Sequence, residues 1–130
     1  MKDHLFRLPK ASRLCSQKDI QALFKLGKKI EGSTLILLYL EQKMQVSRKE
    51  DTPWHIMFVV PKKKVRKAVR RNYLRRCMRE AFRNIQHQIP VLSLDTRLLL
   101  ALIYKSPALK SYLPIKQDVE TLLQSLAQRC

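Results

Sequence analysis

The sequence predicts an α+β fold, in which helices pack on one mixed β-sheet. Short apolar runs typical of strands alternate with amphipathic stretches of helical spacing. A strand, a helix and another strand follow one another over about fifty residues, which is the spacing of a βαβ unit with parallel strands. A length of 130 residues suits one hydrophobic core. We therefore predict a single domain over residues 1–130.

The first half of the chain is predicted to contain one helix and two long strands. Apolar residues repeat at helical spacing up to Gly27, which indicates a helix over about residues 17–26. β-forming residues and leucines predict strands at 33–41 and 54–60, with the polar stretch between them as the loop of a hairpin. A small additional strand near Lys29 is compatible with the pattern.

The second half is predicted to contain two helices around one strand. A basic amphipathic helix begins near Ala68, a strand covers residues 95–104, and a final helix begins near Pro114. The strand before the basic helix and the strand after it should run parallel and lie close together in the sheet.

Basic charge is concentrated in the segment 61–83. This segment contains one acid, Glu80, and supplies +10 of the formal net charge of +17. Its eleven cations are Lys62, Lys63, Lys64, Arg66, Lys67, Arg70, Arg71, Arg75, Arg76, Arg79 and Arg83. A surface that serves only solubility interleaves charges of both signs, and this one does not. We therefore predict a polyanionic partner, nucleic acid rather than an anionic membrane.

The same segment is patterned as a helix. Apolar residues from Val69 and Tyr73 to Phe82 recur at three-and-four spacing and predict a buried side. Arg70 projects toward that side, which predicts an irregular start to the helix. Guanidinium groups suit bidentate contacts with phosphate. At about 100° per residue, the opposite arc collects Asn72, Arg75, Arg76, Arg79 and Arg83.

The residue types needed for catalysis or metal binding are scattered along the chain. The only adjacent acids, Glu50 and Asp51, lie in a loop-like stretch, and the three histidines are isolated. We predict neither a catalytic residue nor a metal site in this chain. Three widely spaced cysteines without a CxxC pair predict a reducing, cytoplasmic environment. The longest apolar run is too short to span a bilayer, so no membrane association is expected.

The basic helix carries a resemblance to a known family. Its run of Lys62-Lys63, Ala68-Val69, Arg71-Asn72, Arg75-Arg76 and Arg79-Glu80-Ala81-Phe82 resembles the signature helix of the bacterial ribonuclease P protein subunit. Residues 13–30, which include Phe24-Lys25-Leu26-Gly27, resemble that family's first helix. The resemblance implies an αβββαβα two-layer sandwich with a mixed four-stranded sheet, similar to the second domain of a small-subunit ribosomal protein.

The resemblance also implies a function. Such a subunit joins a large catalytic RNA, and together they cleave the 5′ leader from precursor tRNA with Mg²⁺ bound mainly by the RNA. The protein is expected to be a monomer in the complex and to leave the chemistry to the RNA. The residues expected to bind the catalytic RNA are Arg66, Lys67, Arg70, Arg71, Asn72, Arg75, Arg76 and Arg79, with Lys62, Lys63, Lys64 and Arg83 beside them.

The resemblance further implies a cleft between the sheet and the first helix, along which the single-stranded leader runs. Its expected lining is Ile20, Phe24, Leu38, Tyr39 and Lys62. A tyrosine is frequent in the family at the position of Leu38, one residue before Tyr39, and a shift of one residue moves a strand side chain to the other face. The chain also departs from the family at Ile20, where an aromatic is frequent, and at Tyr73, where an arginine is usual.

Charge and size leave two other functions open. A ribosomal protein of the same general fold would cosediment with ribosomal particles and ignore the leader. A DNA-binding protein would place the basic helix in duplex DNA, whereas this combination of sheet and helix suits A-form grooves and splayed single strands. Competition between duplex DNA and structured RNA separates the DNA-binding function from the other two.

Overall fold

In a computed structural model, the described residues form one mixed four-stranded sheet and three α-helices. The structure describes residues 14, 17–43, 54–88, 96–106 and 108–129. This is the predicted α+β architecture, and it includes the small strand near Lys29. In chain order the elements are α1 (Gln17–Leu26), β1 (Lys28–Glu31), β2 (Leu35–Lys43), β3 (Trp54–Val59), α2 (Ala68–Ile85), a 3₁₀ helix (Gln86–Gln88), β4 (Thr96–Tyr104) and α3 (Tyr112–Arg129).

The strands are arranged in the order β1-β2-β4-β3. β2 is antiparallel to both β1 and β4, and β3 is parallel to β4. The predicted parallel βαβ unit around α2 is confirmed, whereas the predicted hairpin between β2 and β3 is wrong because β4 lies between them. The connection itself, residues 44–53, lies outside the described residues. β4 takes the central position since its apolar residues at 98–102 are buried on both faces of the sheet.

Helices α2 and α3 cover one face of the sheet. Alternate residues of β2 and β4, such as Leu37 and Leu100, share this core with the buried side of α2. Phe82 is fully buried at its centre, with its ring 5.2 Å from that of Trp54 in an edge-to-face arrangement. The predicted packing side of the basic helix is therefore confirmed from Leu74 onward.

Helix α1 covers part of the opposite face. Its Leu23 is fully buried against Leu99 and Ala101, and the helix lies over β2 and β4. Met57 and Ile103 remain only half-buried on this face. Among the described residues, an apolar strip of the sheet is thus only partly covered beside α1, and it extends to Met57 of β3.

The β1–β2 connection is held by a side chain from α3. The backbone N–H groups of Ser33 and Thr34 donate hydrogen bonds to the Asp118 carboxylate, and β2 begins only at Leu35. The strand thus starts at Leu35, two residues later than the predicted position 33, and residues 33 and 34 belong to the connection that Asp118 holds.

Candidate nucleic-acid interface

Helix α2 is fixed by one side and presents the other to solvent. Leu74 and Met78 are fully buried, so the residues on the opposite arc point away from the core. Asn72, Arg76 and Arg79 are exposed there, as predicted. The Arg79 guanidinium also lies over the Phe58 ring, 5.9 Å from its centroid, which orients it at the border between helix and sheet.

Two other arginines of this arc are half-buried and have partners within the helix. Arg75 Nη2 donates a hydrogen bond of 2.6 Å to Asn72 Oδ1. Arg83 Nη2 lies 2.5 Å from Glu80 Oε1, and its buried Nε has no hydrogen-bond partner. A guanidinium has five N–H donors, so both side chains keep donors for a phosphate. The charge of Arg83, however, is already balanced by the only acid of the segment.

The residues ahead of α2 form a fixed turn that carries three lysines. The Pro61 carbonyl accepts hydrogen bonds from the N–H groups of Lys64 and Val65, at 3.0 and 3.1 Å. Val65 is buried and anchors the turn, while residues 62–64 are exposed. Arg71 Nη1 reaches back to the carbonyls of Val65 and Arg66, at 3.1 and 2.6 Å. Arg71 therefore positions its cationic neighbours, a role that charge alone does not indicate.

The start of α2 is regular, so the predicted irregularity is wrong. The Arg71 N–H donates to the Lys67 carbonyl at 3.0 Å, as an α-helix requires. Arg70 is exposed on the apolar side because the first turn extends past the core. The N-cap residue Lys67 makes no side-chain capping bond, and the first turn contains no acid. Free N–H groups and the helix dipole make this end favourable for an anion.

The first turns of α2 also expose apolar residues that were predicted to be buried. Val69 is 79% exposed and Tyr73 is 37% exposed. Both face an open groove beside Leu109 instead of the core. The pKa of Tyr73 is raised above its ordinary value, mainly by a hydrogen bond with the Cys77 thiol. Leu109 lies in a connection between β4 and α3, where no periodic pattern could have singled it out.

The predicted cleft residues are only partly brought together. Ile20 of α1 and Leu38 of β2 lie on the same side of the sheet, and Phe24 is 48% exposed nearby on α1. Tyr39 is buried among the helices on the opposite face, because successive strand residues alternate. This corrects the prediction for Tyr39. Lys62 is exposed beyond the end of β3.

Other residues of the same face were missed. Register places Met57 beside Ala101 and Leu38 in one row across the sheet, and Ile103 lies two residues further along β4. Strand alternation counted from Leu38 would have identified Ile103 had the pairing with β4 been known. Both Met57 and Ile103 are half-buried and apolar, so they offer a surface against which bases can pack, without the aromatic rings of a stacking platform.

Two lysines at the edge of this face share one acid. Glu31 Oε1 lies 3.2 Å from Lys29 Nζ, and its Oε2 lies 3.5 Å from Lys105 Nζ. The hydrogen bond from Lys29, followed by the charge of Lys105, lowers the pKa of Glu31. The acid therefore stays ionised and partly neutralises two cations that border the cleft.

A polar network attaches α1 to the sheet. Arg97 Nη2 of β4 lies 2.6 Å from Asp19 Oδ2, and Arg97 Nε donates to Gln42 Oε1 at 2.6 Å. Gln42 Nε2 closes the network with a bond of 3.3 Å to Asp19 Oδ1. The network fixes the N-terminal end of α1 on β2 and β4.

Metal-binding clusters and membrane-spanning helices are absent from the described residues. Over these residues, no three His, Cys, Asp or Glu side chains come close enough together to hold a metal ion. None of the helices there combines the length and apolar character that crossing a membrane requires.

Comparison with known proteins agrees with the geometry of α2 and the sheet. The family model described as Ribonuclease P matches residues 8–127. The chain belongs to the bacterial ribonuclease P protein family. A ribonuclease P protein component from Chlorobium phaeobacteroides is 31% identical over 132 residues, which cover 95% of this chain and 90% of the relative. The component from Chlorobaculum tepidum is 28% identical over 128 residues, with 92% and 82% covered.

Solved ribonuclease P proteins share the fold. The protein from Staphylococcus aureus superposes with a TM-score of 0.67 at 24% identity, covering 89% of this chain and 95% of that chain. The protein from Thermotoga maritima superposes with a TM-score of 0.66 at 24% identity, covering 87% and 96%. Family membership makes this ribonuclease P protein a component of an endoribonuclease that acts in tRNA processing.

Proposed function

We propose that this ribonuclease P protein binds the catalytic RNA of ribonuclease P through the exposed side of α2 and the turn before it. The main support for this proposal is a run of exposed cations at 62–64, 66–67, 70, 76 and 79. The one acid of this segment is already paired. A fixed surface of this kind neutralises several phosphates without ordering a loop.

The uncovered strip beside α1 is proposed to hold the 5′ leader of precursor tRNA. Leu38, Met57 and Ile103 form an apolar floor for unpaired bases, and Phe24 is exposed at its border. Lys62 connects this strip to the cationic surface of α2, so one strand can pass from one to the other. Protein and RNA would thus recognise the substrate together.

The RNA is proposed to carry out Mg²⁺-dependent cleavage. Mg²⁺ takes oxygen ligands, chiefly carboxylates, phosphates and water. The α2 surface does not fit that requirement, because its only carboxylate, Glu80, is engaged by Arg83. The same surface fits phosphate, which is the RNA group that binds Mg²⁺. The monomeric state in the complex and the cytoplasmic location stay predictions.

Cleavage of a 5′-labelled precursor tRNA by bacterial catalytic RNA at low Mg²⁺, with and without this chain, tests the proposal. Substrates with long and very short leaders are compared. Stimulation that depends on leader length supports both the RNA contact and the cleft. Stimulation without leader dependence supports the α2 surface and contradicts the cleft. Tight RNA binding without stimulation would contradict the proposed part of this surface in cleavage.

A further inference from the structure

A groove separates the first two turns of α2 from the residues that precede α3. It has a volume of about 520 Å³, which lies within the range of small-ligand sites. Val69, Tyr73 and Leu109 form its apolar lining, and their side chains are 79%, 37% and 51% exposed. Three apolar side chains together in an open groove leave apolar surface that the described residues do not cover.

The border of the groove is cationic. Arg70 and Arg76 of α2 lie on one side and Lys110 on the other, and none of the described residues that line it is an acid. A second groove, lined by Lys64, Arg66 and Lys67, shares Arg70 and Leu109 with the first. The apolar surface is therefore enclosed by, and continuous with, the cations proposed to bind RNA.

The far wall of the groove is fixed before any partner arrives. The Tyr104 side chain is fully buried, and its hydroxyl donates to the Ala108 carbonyl and accepts from the Lys110 N–H at 3.1 Å. The Ala108 N–H also donates to the Ser106 hydroxyl at 3.2 Å. Leu109 is thus held between two anchored residues. A preformed wall lowers the ordering cost of binding.

We propose that this groove holds one unpaired nucleotide of the catalytic RNA, with its base against Tyr73 and its phosphates on Arg70, Arg76 and Lys110. The inference rests on the proposed RNA-binding function of α2. Aromatic rings stack on bases, and cations at both sides match the phosphates that flank a base pushed out of the helix. The Tyr73 phenol does not repel those phosphates, because the ordinary tyrosine pKa of about 10 already leaves it neutral near pH 7 and the Cys77 hydrogen bond raises that pKa further. Cations on both sides of the groove and continuity with the α2 surface favour RNA over an apolar protein segment.

Two pairs of variants test the groove in the full-length protein, with the ribonuclease P RNA of the same organism as the probe. Tyr73→Leu removes the ring, whereas Tyr73→Phe keeps it. Leu109→Ser changes the groove, whereas Leu113→Ser changes a leucine that is 58% exposed on α3 and does not line it. Thermal unfolding of each variant verifies that the fold is retained.

Tyr73→Leu should weaken RNA binding about 5- to 100-fold, the range expected for loss of a stacked base. The dependence of affinity on salt should be unchanged, because no phosphate contact is lost. Leu109→Ser should weaken binding in the same way, and Tyr73→Phe and Leu113→Ser should bind within about twofold of the original protein. Ultraviolet cross-linking followed by trypsin should place a nucleotide on the peptide 72–75, which contains Tyr73.

Original affinity in both Tyr73→Leu and Leu109→Ser, with no nucleotide on that peptide, would overturn the inference and assign the groove to a partner other than RNA. A failure of the proposed RNA-binding function of α2 would give a different result from a failure of the groove inference. In that case the unaltered protein itself would bind the RNA weakly and with little response to salt, whatever residue stands at position 73.

Discussion

Asp118 on α3 binds the backbone of Leu35 at the start of β2, with 2.7 Å between its Oδ2 and the Leu35 nitrogen. The same carboxylate accepts bonds from the N–H groups of Ser33 at 3.1 Å and Thr34 at 2.9 Å. Asp118 is 7% exposed, so these bonds are shielded from water. They join α3 to the connection between β1 and β2. A Cβ at Gly32 would lie 2.4 Å from Oδ2, which explains the glycine there.

We expect Asp118→Ala to destabilise the domain by about 3 kcal/mol, since three N–H groups lose a charged acceptor. Gly32→Ala should also destabilise it, because the carboxylate cannot move without breaking those bonds. The double variant should lose less than the sum of the two, as alanine at 118 leaves room for the new methyl group. Urea unfolding measures all three, with Glu120→Ala as control. Strict additivity would contradict this account of Gly32.

Arg75→Ala combined with Arg79→Ala should weaken RNA binding and leave the unfolding temperature nearly unchanged. Both side chains lie on the solvent side of α2, and the slope of log affinity against log salt should fall by about 1.5 if each contacts one phosphate. Met78→Asp should do the opposite and unfold the domain, because Met78 is fully buried. Thermal unfolding and RNA titration of both variants would reveal if the buried side and the RNA-binding side of α2 had been assigned the wrong way round.

The side of α2 that packs could be predicted from its sequence only where the helix crosses the sheet. Leu74, Met78 and Phe82 follow the helical period and are buried. Val69 follows the same period but lies more than one turn before Leu74, beyond the edge of the core. Tyr73 adjoins Leu74 but points about 100° away from it, at the border of the buried side. Periodicity gives direction around a helix axis, and it contains no information on where along the axis the neighbouring layer ends.

Strand pairing limited the prediction of the cleft in a similar way. The strands themselves were found, but the partner of β2 was not, because the polar stretch after it is typical of a hairpin. The true neighbour, β4, is more than fifty residues away in the chain. Alternation could tell that Leu38 and Tyr39 face opposite sides. Only the positions of the helices decide which of those sides faces α1.

Glu31→Gln should strengthen binding of precursor tRNA, whose leader is proposed to lie in the cleft, by releasing Lys29 and Lys105 from their shared acid. The gain should exceed that from Glu120→Gln, which changes the net charge equally on α3. Because Lys29 and Lys105 lower the pKa of Glu31, the ion pairs persist at neutral pH and are lost as the pH falls through that lowered value. Any difference in stability between the Glu31→Gln variant and the original protein should therefore vanish at more acidic pH than 4.5, the ordinary value for glutamate. Equal affinities of the two variants for precursor tRNA would show that Lys29 and Lys105 do not contact it.

Asp19→Ala should separate recognition of the leader from binding of the catalytic RNA. The variant leaves Arg97 and Gln42 without their common partner, so the N-terminal end of α1 should loosen from β2 and β4 at a cost of about 1–2 kcal/mol. Hydrogen exchange over residues 17–26 should accelerate, and the effect of leader length on cleavage should diminish, because α1 forms one border of the cleft. Affinity for the catalytic RNA should remain, since α2 lies on the other face of the sheet. Lys18→Ala, an exposed neighbour outside the network, is the control. Unchanged leader dependence together with faster exchange would show that the leader does not run beside α1.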